Sequence, residues 1–363
     1  MRYPDSKRLK YLAYMTSIVV IILAAFNTVI TFQIHKQLVK VVSNPGRWPA
    51  GAYVYDQSIG FDFATDISGK IGDGGSFYVK SHHLGYRIAE KEDAASYRPG
   101  GILSLGCSFT YGDEVNSEQT FTQLAADGMG IPAYNYGICS FSYTHALLKA
   151  QKLKAEGVLD KLQPRYVILG CWSGLPERSV TPFPPMASKS LPLPAAYLVK
   201  DGNDLKIQSP MKIRHIFGMV EMYRQEGTGM SFRKFIRIFT AAPRYVHLYL
   251  KYNRLAQGMK MKSFKNSVTD AEVYEFYFTG IEDLFSSYNS RIIVLFMPNK
   301  YSDEQPGDAL LEALARHPAI LFADGYQALQ RYGVPSREYA IRHPQPAAHR
   351  AYSLEVLNAV KQK

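Results

Sequence analysis

Cysteine is scarce in this 363-residue chain. The three present, Cys107, Cys139 and Cys171, are odd in number and widely spaced, with no C-x-x-C pair. That excludes a disulfide framework or a structural zinc site as the organising principle. Each follows a short apolar stretch, so all three read as buried thiols along one edge of a sheet. No G-K-[ST] follows the Gly-rich stretch GKIGDGG at 69–75, which excludes a phosphate loop and leaves a turn. No repeat and no low-complexity tract is present. His82 and His83 are adjacent, and adjacent side chains do not readily converge on one ion, so neither a metal nor a cofactor is implied. Acidic residues are the minority: 31 Asp and Glu stand against 42 Lys and Arg, a net charge of +11. A basic balance suits an acidic or phosphate-bearing partner, or plain solubility.

What is there is a globular composition, 47% apolar and 20% charged, enough to bury a sizeable core. One long apolar run stands at the start. Residues 11–34, YLAYMTSIVVIILAAFNTVITFQI, carry no charge. As a helix, roughly 22 residues would span about 33 Å, enough for a bilayer core. The run is longer than the apolar core of a cleaved signal peptide, and Ala24-Ala25 leads into further apolar residues, so a retained anchor is expected. Arg2, Lys7, Arg8 and Lys10 precede it and Lys36 and Lys40 follow. The excess lies on the N-terminal side, which predicts residues 1–10 in the cytoplasm and the chain from about 36 onward in the periplasm or otherwise outside an inner or plasma membrane.

Residues 35–100 read as a lead-in of turns and short aromatic strands, AYVYD and FYVK among them. From 101 an alternating rhythm begins. GILSLG (101–106), AYNYG (133–137), YVILGCW (166–172), RIIVLFMP (291–298) and AILFADG (319–325) read as strands. Segments around 118–129, 144–157 and 346–361 read as helices. Such alternation predicts an α/β domain, 101–363, on a parallel sheet covered on both faces, with its site at the C-terminal strand ends. An insertion at about 176–268 breaks the rhythm. It holds a Pro-rich loop (181–194), a hairpin at 196–208 turning near Asp201-Gly202-Asn203, and a basic aromatic segment. In 212–265 twelve Lys or Arg stand against two acids, Glu221 and Glu226, so nearly all the net charge sits there. That surface suits a solvated cap, anionic lipid, an acidic glycan or a membrane-protein partner, with Arg233, Lys234 and Arg237 as test positions. The expected compartment argues against nucleic acid.

The sharpest motif is Gly106-Cys107-Ser108-Phe109-Thr110-Tyr111-Gly112, at the end of the first strand of the α/β unit. A serine just after a strand can present its hydroxyl in a tight turn. It is not a G-x-S-x-G elbow. At the far end stands Arg342-His343-Pro344-Gln345-Pro346-Ala347-Ala348-His349-Arg350. Together these resemble the SGNH/GDSL hydrolases. The first block of that family reads Gly-Asp-Ser-x-x-x-Gly, with Cys107 replacing the Asp here. Its catalytic histidine lies near the C-terminus before a proline, with a second histidine in the last helix. The SHHLGYR stretch at 81–87 looks like the loop that precedes the first block in membrane-anchored members. The resemblance covers roughly 100–175 and 285–360.

The resemblance implies a three-layer α/β/α sandwich, Ser108 as nucleophile and His343 as its base. A serine needs such a base to be nucleophilic, and an acid usually orients the imidazole. The family places that acid two or three residues before the histidine, where Ala340 and Ile341 stand. Glu338 and Asp324 are the nearest upstream acids. The other blocks depart from the pattern. Ser140, in NYGICS (135–140), occupies the usual oxyanion glycine position. Gly174 and Leu175, in GCWSGLPER (170–178), stand where Asn and Asp would. Arg178 matches the closing arginine of that block and reads either as a substrate contact or as a loop-closing residue. Each site residue also has a bland reading. Ser108 would suit a helix N-cap, His343 a surface position, and His349 a structural bond to a loop carbonyl. The resemblance therefore implies a serine ester hydrolase or O-acyltransferase acting on acyl esters, cell-envelope polysaccharide among them. The alternative is a catalytically lapsed member serving as a binding or assembly subunit.

Overall fold

The computed structural model describes residues 6–43, 53–71, 77–181, 195–210, 222–223, 225–243, 268–298, 305–339 and 343–362. The chain divides into two compact units. One joins Met1–Asn44 with Arg214–Phe264; the other joins Pro45–Ile213 with Lys265–Lys363. The basic part of the insertion thus groups with the N-terminal helix, while the hairpin does not.

In the first unit a single helix runs Ser6–Ser43. Its stretch Lys10–Lys36 is long and apolar enough to cross a membrane, with a mean hydropathy of 2.2. One stripe of it is covered, where Thr31, Ile34 and Leu38 are buried. A helix at 232–243 lies against it, with Phe32 and Phe235 rings 6.1 Å apart. Asn27, the amide nearest the middle of the apolar run, has a partner on the second helix. Asn27 donates from Nδ2 to the Phe239 carbonyl at 2.9 Å. Pro243 stands four residues after Phe239 and has no N–H to return to that carbonyl, so Asn27 satisfies an acceptor the helix itself cannot. Lys234 is buried. Its ammonium donates to the carbonyls of Glu226, Gly227 and Gly229 and lies 4.7 Å from the centre of the Tyr223 ring. It is therefore no part of the exposed basic surface, whereas Arg233 and Arg237 are exposed.

The second unit is built on an eight-stranded sheet in the order β12-β11-β8-β6-β7-β5-β4-β3. β6 (Ile102–Leu105), β7 (Ala133–Asn135), β8 (Tyr166–Cys171), β11 (Arg291–Phe296) and β12 (Leu321–Asp324) are parallel to one another. β6 and β8 are buried along their whole length, as their unbroken apolar runs require of strands covered on both faces. The sheet is mixed rather than purely parallel. β3 (Ser68–Ile71), β4 (Phe77–Ser81) and β5 (Arg87–Ile88), all from the lead-in, extend it antiparallel beyond β7.

The order dictates the layers. From β6 the chain steps one way to β7, then back past β6 to β8, and on to β11 and β12. Right-handed crossovers therefore put the first connecting helix on one face and the later ones on the other. The Phe121–Met129 helix accordingly packs with the terminal Pro346–Lys361 helix, and the Tyr143–Ala155 helix packs with Asp270–Phe285. The reversal of direction at β6 opens a crevice at its C-terminal end, the usual place for a site in such sheets. The β1–β2 hairpin (Tyr53–Asp56, Gly60–Phe63) is fastened to the Tyr143–Ala155 helix through buried charge. Lys149 meets both Asp62 oxygens at 2.8 Å, and Lys152 bridges Asp56 and Asp62 at 2.7 and 2.9 Å. Burial would raise the Asp62 pKa, but these two ammonium groups hold it below the ordinary value.

Candidate active site

Ser108 opens a one-turn helix, Ser108–Tyr111, directly after β6. Cys107 is the cap residue and no side chain caps the turn, so Ser108 is not an N-cap. Three strand-end glycines let this turn settle onto the sheet. A Cβ at Gly106 (φ +153°) or at Gly170 would lie 2.2 or 1.9 Å from Thr110 Oγ1, and one at Gly137 would lie 2.3 Å from the Tyr111 nitrogen. Cys107 and Cys171 directly follow Gly106 and Gly170, and Cys139 stands two residues after Gly137. All are free and buried, and burial pushes the Cys171 thiol up to about 12.

The far side of the turn is held by buried polar groups that the sequence reading missed. Arg87 donates to the carbonyls of Tyr111 (2.6 Å), Gly112 (2.7 Å), Tyr78 (3.2 Å) and Val115 (2.5 Å), and lies 4.5 Å from the centre of the Tyr111 ring. Asn135 donates to the Thr110 carbonyl at 2.8 Å and accepts from the Gly137 amide at 2.9 Å. Arg87 ends the SHHLGYR stretch. Its place at the start of the two-residue strand β5 gives no sign in the sequence of a guanidinium turned inward.

His343 is buried, 6% exposed, so it is not a surface residue. Its ring packs edge-to-face on Phe109 at 5.9 Å, beside Ser108. Nδ1 stands 3.2 Å from Glu114 Oε1 and Nε2 stands 3.4 Å from Asp113 Oδ2. The Glu114 approach is at ion-pair distance without hydrogen-bond alignment. The acids beside the imidazole thus come from the residues right after the first block. Neither upstream acid takes that place. Asp324 caps the Gly325–Arg331 helix, accepting from the Gln327 amide at 3.1 Å, and Glu338 closes a short 3-10 turn. Ala340 and Ile341 lie outside the described residues. Glu114 adopts a left-handed backbone (φ +74°), a conformation costing roughly 1–3 kcal/mol in a non-glycine residue.

Ser140 is also left-handed (φ +70°), so it keeps the backbone shape of the glycine it replaces. Among the described residues neither the Ser108 nor the Ser140 amide donates to a protein acceptor, and Ser108 Oγ has no hydrogen bond. Gly174 has no room for the side-chain donor expected at its place. A Cβ there would lie 2.3 Å from the Trp172 ring. Trp172 stacks on Phe109 at 5.8 Å, and the Arg178 guanidinium lies 4.8 Å from the centre of the indole ring. Arg178, Trp172, Phe109 and His343 therefore form one continuous run of contacts along the crevice.

His349 lies apart from this chemistry. It is fully buried, stacks on Phe121 at 5.9 Å, and its Nδ1 accepts the Phe121 amide at 3.2 Å, an N–H rather than the expected carbonyl. Burial, with Arg87 and His343 nearby, lowers its pKa to about 3, which keeps the ring neutral and able to accept. His82 and His83 have separate partners. His82 stacks on Tyr86 at 4.4 Å, and His83 pairs with Asp66.

A serine at the end of the first parallel strand, a histidine before the last helix and the strand order make an SGNH/GDSL-hydrolase-like arrangement. No family model matches the sequence, and no curated protein does. Among solved structures the chain is similar to an α/β hydrolase from the metagenome of Lake Arreo, Spain (12% identity, 74% of this chain and 98% of that one, TM-score 0.37). It is also similar to a member of the lipolytic G-D-S-L family from Veillonella parvula (12% identity, 72% and 99%, TM-score 0.36). A third is a two-domain esterase active on acetylated mannans (13% identity, 73% and 49%, TM-score 0.35).

Proposed function

We propose that this chain is a membrane-anchored serine ester hydrolase or O-acyltransferase of the SGNH/GDSL type. The observation that carries the reading is His343, set between two carboxylates and packed on the residue next to Ser108. In this reading Glu114 holds Nδ1, and Nε2 moves from Asp113 to Ser108 Oγ when substrate arrives. Nε2 takes the hydroxyl proton as Oγ adds to the acyl carbonyl. The amides of Ser108 and Ser140 receive the oxyanion. The ester C–O bond then breaks, and His343 returns the proton to the departing alkoxide, leaving an acyl-serine. Water, or a second alcohol, repeats the steps in reverse and frees Ser108.

The Lys10–Lys36 helix would tether the enzyme. The cation excess before it supports a cytoplasmic N-terminus and an extracytoplasmic catalytic unit. That location suggests acyl esters on cell-envelope polysaccharide as substrate. Full-length protein in detergent, assayed on an aryl acetate and on O-acetylated oligosaccharides beside Ser108→Ala, tests the activity. Release of acetate that the variant lacks supports it.

A second reading has its own observation. Ser108 Oγ has no hydrogen bond among the described residues, and Trp172 fills the space of the third oxyanion donor. A lapsed hydrolase acting as a binding or assembly subunit would look like this. It predicts no acetate release from a folded protein, with exposed Arg233 and Arg237 on the side of the chain that meets lipid or a partner.

A further inference from the structure

Among the described residues Arg178 forms no ion pair, although the Glu177 charge reaches it. It follows a tight turn after β8, in the Leu175–Ser179 helix, and is half-buried. Among the described residues no carboxylate forms an ion pair with its guanidinium and no acceptor receives its N–H groups; its recorded contact is the face of Trp172. Guanidinium groups withdrawn from water ordinarily find a carboxylate or a set of carbonyls, as the buried Arg87 does. The indole takes up one side of the guanidinium, and among the described residues no acceptor takes its paired donors, which can grip an anion in the plane. These donors have a use, because the guanidinium is placed at the reacting end of the crevice. The Trp172 ring beneath it stacks on Phe109, next to Ser108. Its charge also reaches the thiols of Cys107 and Cys139, which precede Ser108 and Ser140 in the chain.

We propose that Arg178 binds a carboxylate on the substrate itself, so that the acyl ester this site takes is carried by an acidic sugar rather than a neutral one. The proposal rests on the esterase reading of the site and names its substrate class. Charge decides for a carboxylate over a phosphate. One guanidinium that the Glu177 charge already reaches suits a singly charged carboxylate better than a phosphate dianion, and His145 beside it is kept neutral by burial, with a pKa of about 3. A dianion would meet too little positive charge.

The test reads binding without turnover. The chain has two tryptophans, Trp48 and Trp172. In full-length Trp48→Phe/Ser108→Ala protein, Trp172 emission reports on the stack directly. The probes are O-acetylated trigalacturonate, O-acetylated mannotriose and inorganic phosphate. The expected result is an emission change with the acidic trimer at least tenfold tighter than with the neutral one. Arg178→Gln should erase that difference, and Arg178→Lys should restore part of it. Equal affinity for both trimers, or phosphate binding tighter than the acidic trimer, overturns the proposal. So does an Arg178→Gln variant with unchanged preference, or one that weakens both trimers alike, which would mark Arg178 as an oxyanion or structural group. Should Arg178→Gln fail to fold, the Arg178→Lys ratio decides alone. Because Ser108 is absent from the test protein, failure of the esterase reading leaves the outcome interpretable.

Discussion

β6 and β8 lie side by side and end alike, in Gly106-Cys107 and Gly170-Cys171, yet the loops that follow are built in opposite ways. After β6 the chain makes one helical turn whose carbonyls are held from outside, by Arg87 and Asn135. After β8 the chain fills its own site. Trp172 folds over Gly174 and leaves no space for a side chain there. The first loop spends buried polar contacts on holding a serine in one place. The second replaces a polar donor with an aromatic platform, on which Arg178 rests. The difference teaches that the departures from the family pattern are not spread evenly. The nucleophile turn is held from several sides, and on the opposite wall an indole stands where the side-chain donor would.

The comparison can be broken at its strongest point first. If the residues after the first block supply the supporting acid, Glu114→Gln should lower ester hydrolysis by about 10²–10⁴-fold, the range for loss of an orienting carboxylate. Asp113→Asn should cost far less, since in this reading Nε2 leaves Asp113 for Ser108; steady-state rates on one ester compare the two. Next, Arg87→Ala leaves four carbonyls without their donor and should cost roughly 3 kcal/mol in a denaturant titration, and the serine turn should become more accessible to protease. Conversely, Gly174→Asn will not restore an oxyanion donor. It should destabilise by roughly 1–3 kcal/mol through overlap with the indole, and Trp172→Ala in the same chain should relieve most of that.

Acid tests the same core from another side. His145 and His349 both have pKa values of about 3 when folded, against an ordinary 6.5. Between those values the unfolded chain binds protons that the folded chain refuses. Stability is thus fully present above pH 6.5 and is lost as the pH falls toward 3, approaching about 1.4 kcal/mol per pH unit for each ring. Urea midpoints measured at pH 7 and pH 5 check the sign.

Much of this was legible in the sequence because it is written locally. Unbroken apolar runs announced β6, β8 and β11, and the Asp201-Gly202-Asn203 turn announced the hairpin, whose strands pair from Asp201 to Asp204. Ser108 and His343 stood out because their neighbours match a motif, and the fold brings them to one crevice. What stayed hidden depends on contacts between distant segments. Nothing at Arg87 shows that it turns inward to Tyr111 and Gly112. Nothing local marks Asp113 and Glu114 as site residues, and their place beside His343 depends on a segment near the C-terminus. The antiparallel edge β3-β4-β5 was hidden for the same reason, since a strand's sheet is chosen by its partner. Lys234 reads as surface charge in the sequence, yet three backbone carbonyls take its ammonium.

The most direct test of the account is the rate at which a fluorophosphonate modifies Ser108 in the folded, full-length protein, read by mass spectrometry of the peptide that carries it. The account predicts labelling confined to Ser108, absent in Ser108→Ala and slowed in both His343→Ala and Glu114→Gln. A folded protein that takes no label, or one whose labelling is unchanged in His343→Ala, would contradict it.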